Sequence, residues 1–289
     1  MLESARRTVE HAVRRIQRSP TLDAIGRASA SAFARVVRPG AFKDLFSGTW
    51  LGHPAHPMLT DVPIGAWTNA FVLDLMRGDA AGDAADTLIG LGVLAALPTA
   101  VTGLSDLTDV VKEDDRSIGV AHAIGNIAAV SLYAASFLQR RRGRRRSGKV
   151  LSLAGAAAAT GGAFLGGHLV YRQVVGPSHA ALDRPVEEWT AVLDEGNLVV
   201  GEPKRVNVGG TDIMLYRSEH GMFALANRCS HRSGPLHKGE VSDGRVTCPW
   251  HLSTFGLSDG SVIRGPATAP QPAYDVRVRD GKIEVRSRP

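Results

Sequence analysis

Four long apolar runs occupy the middle of the chain. Met58–Met76 is interrupted by Asp61, Asn69 and Asp74, whereas Thr87–Asp106 carries no charge before its last residue. Ser117–Gln139 is uncharged apart from His122, and Val150–Tyr171 is rich in Gly and Ala with His168 near its end. Each approaches the roughly 20 residues that cross ~30 Å of hydrocarbon. The pattern therefore predicts four membrane-spanning helices running alternately up and down, with a kink at Pro98 and close helix approach along the Gly/Ala-rich fourth run. A buried soluble bundle is the competing reading. Ahead of these runs, Val9, Ala12, Val13 and Ile16 fall on helical spacing within Glu3–Ser19, with arginines between them. This predicts one amphipathic helix, either lying on a membrane surface or forming an ordinary outer helix of the fold. From about Glu188 the period changes to two. Short alternating runs (Trp189–Leu193, Arg205–Val208, Asp212–Arg217, Met222–Ala226, Arg245–Cys248, Tyr274–Arg279 and Lys282–Arg286) are separated by turn pairs such as Gly209-Gly210, Asp243-Gly244 and Asp280-Gly281. That is the pattern of a small antiparallel β domain.

The chain thus divides into a basic N-terminal region (1–46), a four-helix transmembrane bundle (47–177), a linker (178–187) with Pro185, and an all-β domain (188–289). The mean hydropathy of −0.04 is the average of these unlike parts. With 44% hydrophobic and 21% charged residues, a disordered chain is excluded. A net charge of +6 suits a membrane surface or a nucleic acid. Its location decides: Arg140–Lys149 holds seven basic residues in ten, directly between two apolar runs. That reads as a cytoplasmic loop, with membrane lipid rather than nucleic acid as the partner. The loop places both termini on the non-cytoplasmic side. The early arginines are not followed by the apolar stretch of a secretory leader. Two cysteines rule out a disulfide scaffold and a four-cysteine zinc site, and fit a reducing cytoplasm, against the orientation drawn from the loop.

Both cysteines lie in the β domain, in Cys229-Ser-His231 and Cys248-Pro-Trp-His251, with sixteen residues between the pairs. Two thiolates and two imidazoles suit a tetrahedral zinc ion or a mixed-ligand iron–sulfur cluster. The flanks favour the cluster: Gly234-Pro235-Leu236, Gly239, Phe255, Gly260 and Gly265-Pro266-Ala267. Together these residues resemble the Rieske [2Fe–2S] family over about Trp189 to Ser287. The resemblance implies an antiparallel Rieske-type sandwich, with Cys229 and Cys248 on one iron and His231 and His251 on the other. It implies that Ser253, Phe255 and Pro266 surround the cluster, and that an edge of each histidine ring lies near the surface, so that its protonation makes the potential pH-dependent. High-potential members join their cluster loops by a disulfide; Gly234 and Trp250 stand at those positions here. Phe255 replaces a tyrosine whose hydroxyl donates towards sulfur, which implies a lower potential.

The function implied is transfer of single electrons between a redox carrier and a membrane or soluble partner, a protein or a quinone, at a bacterial cytoplasmic membrane. A ferredoxin component serving a separate oxygenase or reductase is an alternative, and so is a membrane redox sensor. A complete oxygenase is not expected, because 38 residues follow His251 and the β domain needs them.

Four further histidines flank the apolar runs: His53, His56, His122 and His168. Alternating spans place all of them at the end that carries the β domain, with Asp61, Asp106 and Asp109. Ionisable groups in a bilayer are costly, so convergence suggests a site. A haem b is the first expectation, held by His122 and His168; a His/Asp metal site and a quinone pocket are others. The stretches Gly48–Trp67, Thr102–Asp106, Ala121–Asn126 and Leu165–Tyr171 resemble an uncharacterised bacterial four-helix membrane domain of the DUF2231 type, from about Ser47 to Pro177.

Overall fold

The computed structural model describes residues 2–76 and 78–288. Seven α-helices precede the strands: α1 (Leu2–Gln17), α2 (Pro20–Val36), α3 (Ala41–Ser47), α4 (Ala55–Leu75), α5 (Asp79–Leu107), α6 (Glu113–Arg141) and α7 (Arg145–Gln173). The chain forms two compact units. One joins residues 1–37 to 55–175, the other joins residues 38–54 to 176–289. The boundary expected at 46/47 therefore does not separate them; α3 goes with the β unit.

In the helical unit, α4 packs on α5, α5 on α6 and α6 on α7. Three of these helices, α5, α6 and α7, are long and apolar enough to cross a membrane, at 29 residues each, or ~43 Å at about 1.5 Å per residue. Interrupted by polar residues, α4 is not among them. Leu91, Leu94, Leu97, Ile127, Val150, Leu153 and Phe164 face outwards, where a soluble bundle would bury such residues. Inside, Trp67 stacks on Tyr133 at 4.0 Å, against Ala70, Ala85, Ile89 and Ala96. Gly125 faces the backbone of Gly162, and Gly155 faces the Tyr133 ring, which realises the close approach expected of α6 and α7.

The helix expected within Glu3–Ser19 is α1, and a second helix, α2, follows it. Ser19 caps α2 by accepting from the Leu22 amide, with Pro20 at its start. Both α1 and α2 pack on α6. Val13 is buried, and the buried Asp23 pairs with Arg27 and, at 2.6 Å, with Arg116. They belong to the fold's own exterior.

The basic stretch is likewise not a loop. Arg140 ends α6 with its side chain buried, bonded to Asp74 (2.9 Å) and Asp86 (3.0 Å). Arg145 pairs with Asp83 and Asp86, and Lys149 with Asp74. A buried guanidinium requires such partners. Three of the seven basic residues are thereby offset, which weakens the charge asymmetry behind the expected orientation.

The second unit holds ten strands: β1 (Thr190–Asp194), β2 (Lys204–Val208), β3 (Thr211–Ser218), β4 (Gly221–Ala226), β5 (Glu240–Ser242), β6 (Arg245–Thr247), β7 (Thr254–Gly256), β8 (Val262–Arg264), β9 (Ala273–Arg279) and β10 (Lys282–Ser287). They form an antiparallel six-stranded sheet, ordered β1-β10-β9-β4-β3-β2, and a four-stranded sheet, β5-β6-β7-β8. Alternation along β3 and β4 feeds two cores. Ile213, Leu215, Ala224 and Ala226 pack with Ile283 and Val285. Met214 and Leu225 pack with Leu236, Val246, Phe255 and both cysteines. The turns Asp243-Gly244 and Asp280-Gly281 have positive φ at both residues, the tight-hairpin geometry their sequence demands.

Candidate metal centre

Two loops of this second unit carry the expected ligands, and their backbones match. After Cys229, the Cys carbonyl accepts from the amide four residues on (Ser233, 2.9 Å), and the Cys amide donates to the carbonyl five residues on (Gly234, 2.9 Å). After Cys248 the same positions serve: Leu252 N to Cys248 O at 3.1 Å, and Cys248 N to Ser253 O at 2.8 Å. Ser233 and Leu252 both have a φ of 63°. That left-handed conformation is strained for side-chain-bearing residues and persists only where the surroundings enforce it. The first loop leaves β4; the second is the turn between β6 and β7.

The two loops bring like ligands together. The cysteines are both buried and share a hydrogen bond. The His231 and His251 rings meet edge to face, with centroids 5.0 Å apart. A two-iron cluster takes a sulfur pair and an imidazole pair. Backbone amides face both sulfurs. Cys229 donates to the Cys248 sulfur, which the amides of Trp250 and His251 also face, and its pKa falls to about 7 despite burial. The bond to Cys248 and burial push the Cys229 thiol up, while the amides of His231 and Arg232 favour its thiolate. Four amides aimed at two sulfurs fit thiolate ligation of iron. Cys229, Cys248, His231 and His251 would hold a [2Fe–2S] cluster here.

A third loop, Gly265–Ala267, follows β8 and is buried. Its Ala267 amide donates to Ser253 Oγ at 3.0 Å, which leaves the Ser253 hydroxyl proton to donate elsewhere. Phe255 is fully buried against both cysteines. Sequence reasoning missed Gln271, which lies between two prolines without a motif. Buried, it accepts from the Ser230 amide (2.9 Å) and donates to the carbonyls of Ala226 and Arg228 (2.6 Å each). It thereby fixes the backbone on both sides of Cys229. Gln271→Leu keeps the volume and strands these groups, at about 1–3 kcal/mol for each left unmet. The thermal unfolding midpoint of the variant should fall clearly; a midpoint equal to that of the parent chain would contradict this role.

A family model of the Rieske [2Fe-2S] domain matches residues 188–275. The anthranilate 1,2-dioxygenase ferredoxin subunit of Burkholderia cepacia is 32% identical over 98 residues, covering 34% of this chain and 91% of that protein. This chain belongs to the Rieske family. The 3-phenylpropionate/cinnamic acid dioxygenase ferredoxin subunit of Photorhabdus laumondii is 37% identical over 75 residues, 26% of this chain and 71% of that protein. Apoptosis-inducing factor 3 of Homo sapiens is 32% identical over 97 residues, but the match spans only 16% of its length and 34% of this chain. Residues 52–179 match the family described as "Predicted membrane protein (DUF2231)". The Rieske domain is thus related to ferredoxin components of dioxygenase systems, and it follows a membrane domain with candidate transmembrane helices.

Gly234 and Trp250, the positions that the resemblance aligns with the disulfide of high-potential members, are adjacent here. A Cβ on Gly234 would lie 3.3 Å from the Trp250 ring and 2.5 Å from the Cys248 sulfur. In the DUF2231 domain, the pairing of histidines differs from expectation. His122 meets His56, at 6.2 Å and edge to face, rather than His168. The Nδ1 atoms of His56 and His122 lie 3.0 and 2.8 Å from the Thr99 and Gly162 carbonyls. His53 is exposed and belongs to the other unit, and Asp61 is exposed. This arrangement gives haem b no support.

Proposed function

We propose that the chain is a membrane-anchored Rieske protein of a bacterial cytoplasmic membrane that passes single electrons between a redox carrier and a membrane or soluble partner. The observation that carries this reading is the pair of matched loops, which sets two buried sulfurs together and two imidazoles together. When bound, the cluster supplies a one-electron centre. The chain's residues do the rest. Amides of residues 231, 232, 250 and 251 neutralise charge on sulfur, and Phe255, Leu236 and Met214 exclude water. His231 and His251 are only partly buried, so their ring edges supply a route for electrons to a docked partner. The outward apolar residues of α5, α6 and α7 support anchoring. Membrane extracts of iron-replete cells expressing the chain should give the EPR signal of a reduced mixed-ligand [2Fe–2S] centre. Detection of zinc in its place would overturn the reading.

A second reading, a ferredoxin component for a separate oxygenase or reductase, is favoured by the names of the Burkholderia and Photorhabdus relatives. The two readings share the cluster and differ in the acceptor. In both, Phe255 offers no hydroxyl to sulfur. The midpoint potential is therefore expected in the lower half of the roughly −150 to +300 mV Rieske range, and Phe255→Tyr should raise it. A parent midpoint near the top of that range would refute this account.

A further inference from the structure

Residues 41–51 lie outside both family matches, 52–179 and 188–275. They form α3 and a short turn, Thr49–Leu51, bounded by the left-handed glycines Gly48 and Gly52. Although they leave α2 and lead into α4, they pack with the β unit. Their contact is the third cluster loop. Asp44 Oδ1 accepts from the Gly265 amide at 2.9 Å. Thr49 Oγ1 donates to the Ala267 carbonyl at 3.2 Å. Any side chain on Gly265 would collide with both Thr49 and Asp44, so the fit is close. From Ala267 the amide reaches Ser253 Oγ, and Ser253 O receives the Cys248 amide. Asp44 and Thr49 are therefore linked, through the Gly265–Ala267 turn and Ser253, to the backbone of a cluster cysteine.

The other segment that enters the β unit makes a similar contact on the first loop. The His179 amide donates to Ser230 O at 2.9 Å, and His179 Nδ1 bonds Ser233 Oγ at 2.8 Å. Each stretch of chain arriving from the helical unit thus ends on a cluster loop.

We propose that residues 41–51 are a built-in clamp on the third cluster loop, in which Asp44 and Thr49 are positioning residues that set the redox potential and retention of the cluster. The proposal rests on cluster binding by Cys229, His231, Cys248 and His251. The physical reason is that a cluster's potential follows its burial and the hydrogen bonds around its sulfurs. A third loop tied at both ends keeps Ser253 and the buried turn in one arrangement. Burial raises the Asp44 pKa, opposed by the Gly265 amide and by Arg264, in keeping with a half-buried carboxyl at this contact.

The test uses the full chain in detergent, as parent, Asp44→Asn, Asp44→Ala, Thr49→Val and Thr49→Ser. The midpoint potential is followed by EPR-monitored titration, and hydrogen exchange is measured over residues 262–269. Asp44→Ala and Thr49→Val should each shift the midpoint and lose protection in that peptide. Thr49→Ser should restore both, and Asp44→Asn should keep the protection while moving the midpoint upwards. Unchanged midpoint and protection in both Asp44→Ala and Thr49→Val, with parental cluster content, would overturn the clamp alone. A parent chain without the Rieske signal would remove the clamp and the proposed function together.

Discussion

A Cys248→Ser chain is expected to lose the reduced [2Fe–2S] EPR signal entirely, with protein-bound iron and sulfide falling to background. The loop around Cys248 is arranged for a sulfur anion. The Cys229 thiol and the amides of Trp250 and His251 all face that atom and draw its pKa to about 7. A serine hydroxyl does not ionise in this range, and its shorter bond to carbon withdraws the oxygen from those donors. The site is also buried, so no outside ligand readily substitutes. His251→Ala should give the same spectroscopic loss by a different route, since it removes one of the two imidazoles that meet at 5.0 Å and leaves the second iron with a single protein ligand. Metal analysis alongside EPR distinguishes an empty site from an altered one. A parental signal in either variant would refute the ligand assignment.

The two Cys/His pairs stand out in the sequence because each is local: one residue separates Cys229 from His231 and two separate Cys248 from His251, and the glycines and prolines of the loops lie beside them. The long strands were legible for a similar reason. β3 and β4 alternate over several residues and end in recognisable turns. β5, β7 and β8 have three residues each, too few for a period-two signal to stand out. What escaped reading depends on partners distant in the chain. Arg140 looks like a loop residue until Asp74 and Asp86 are placed beside it, 66 and 54 residues away. Asp44 and Gly265 are 221 residues apart, and neither carries a motif. Which of the histidines meet depends on helix rotation, which the sequence pattern does not give. His122 turns to α4 and His56, where Gly103 makes room for the His56 ring and Gly166 for that of His122.

Gly234→Ala should be nearly as damaging as loss of a ligand, although it adds one methyl group and removes no donor. Gly234 is not needed for its backbone freedom, since its φ is not in the left-handed region. Its role is steric. A methyl there would lie 2.5 Å from the Cys248 sulfur and 3.3 Å from the Trp250 ring. In most cores an extra methyl costs about 1–3 kcal/mol because neighbours shift. Here the neighbour that must shift is the Cys248 sulfur, held between Cys229 and two backbone amides. The first loop cannot withdraw instead, because the Gly234 carbonyl accepts from the Cys229 amide and Gln271 pins Ser230. The strain therefore falls on the Cys248 sulfur that would bind the cluster, and the purified variant should retain little cluster while its β strands remain folded by circular dichroism. Gly196→Ala is the matched control: the same methyl in the same unit meets nothing within 4 Å, and its cluster content should equal the parent's. Full cluster content with an unaltered EPR spectrum in Gly234→Ala would show that the two loops have slack at their closest approach. The absence of a side chain at residue 234 would then need another cause.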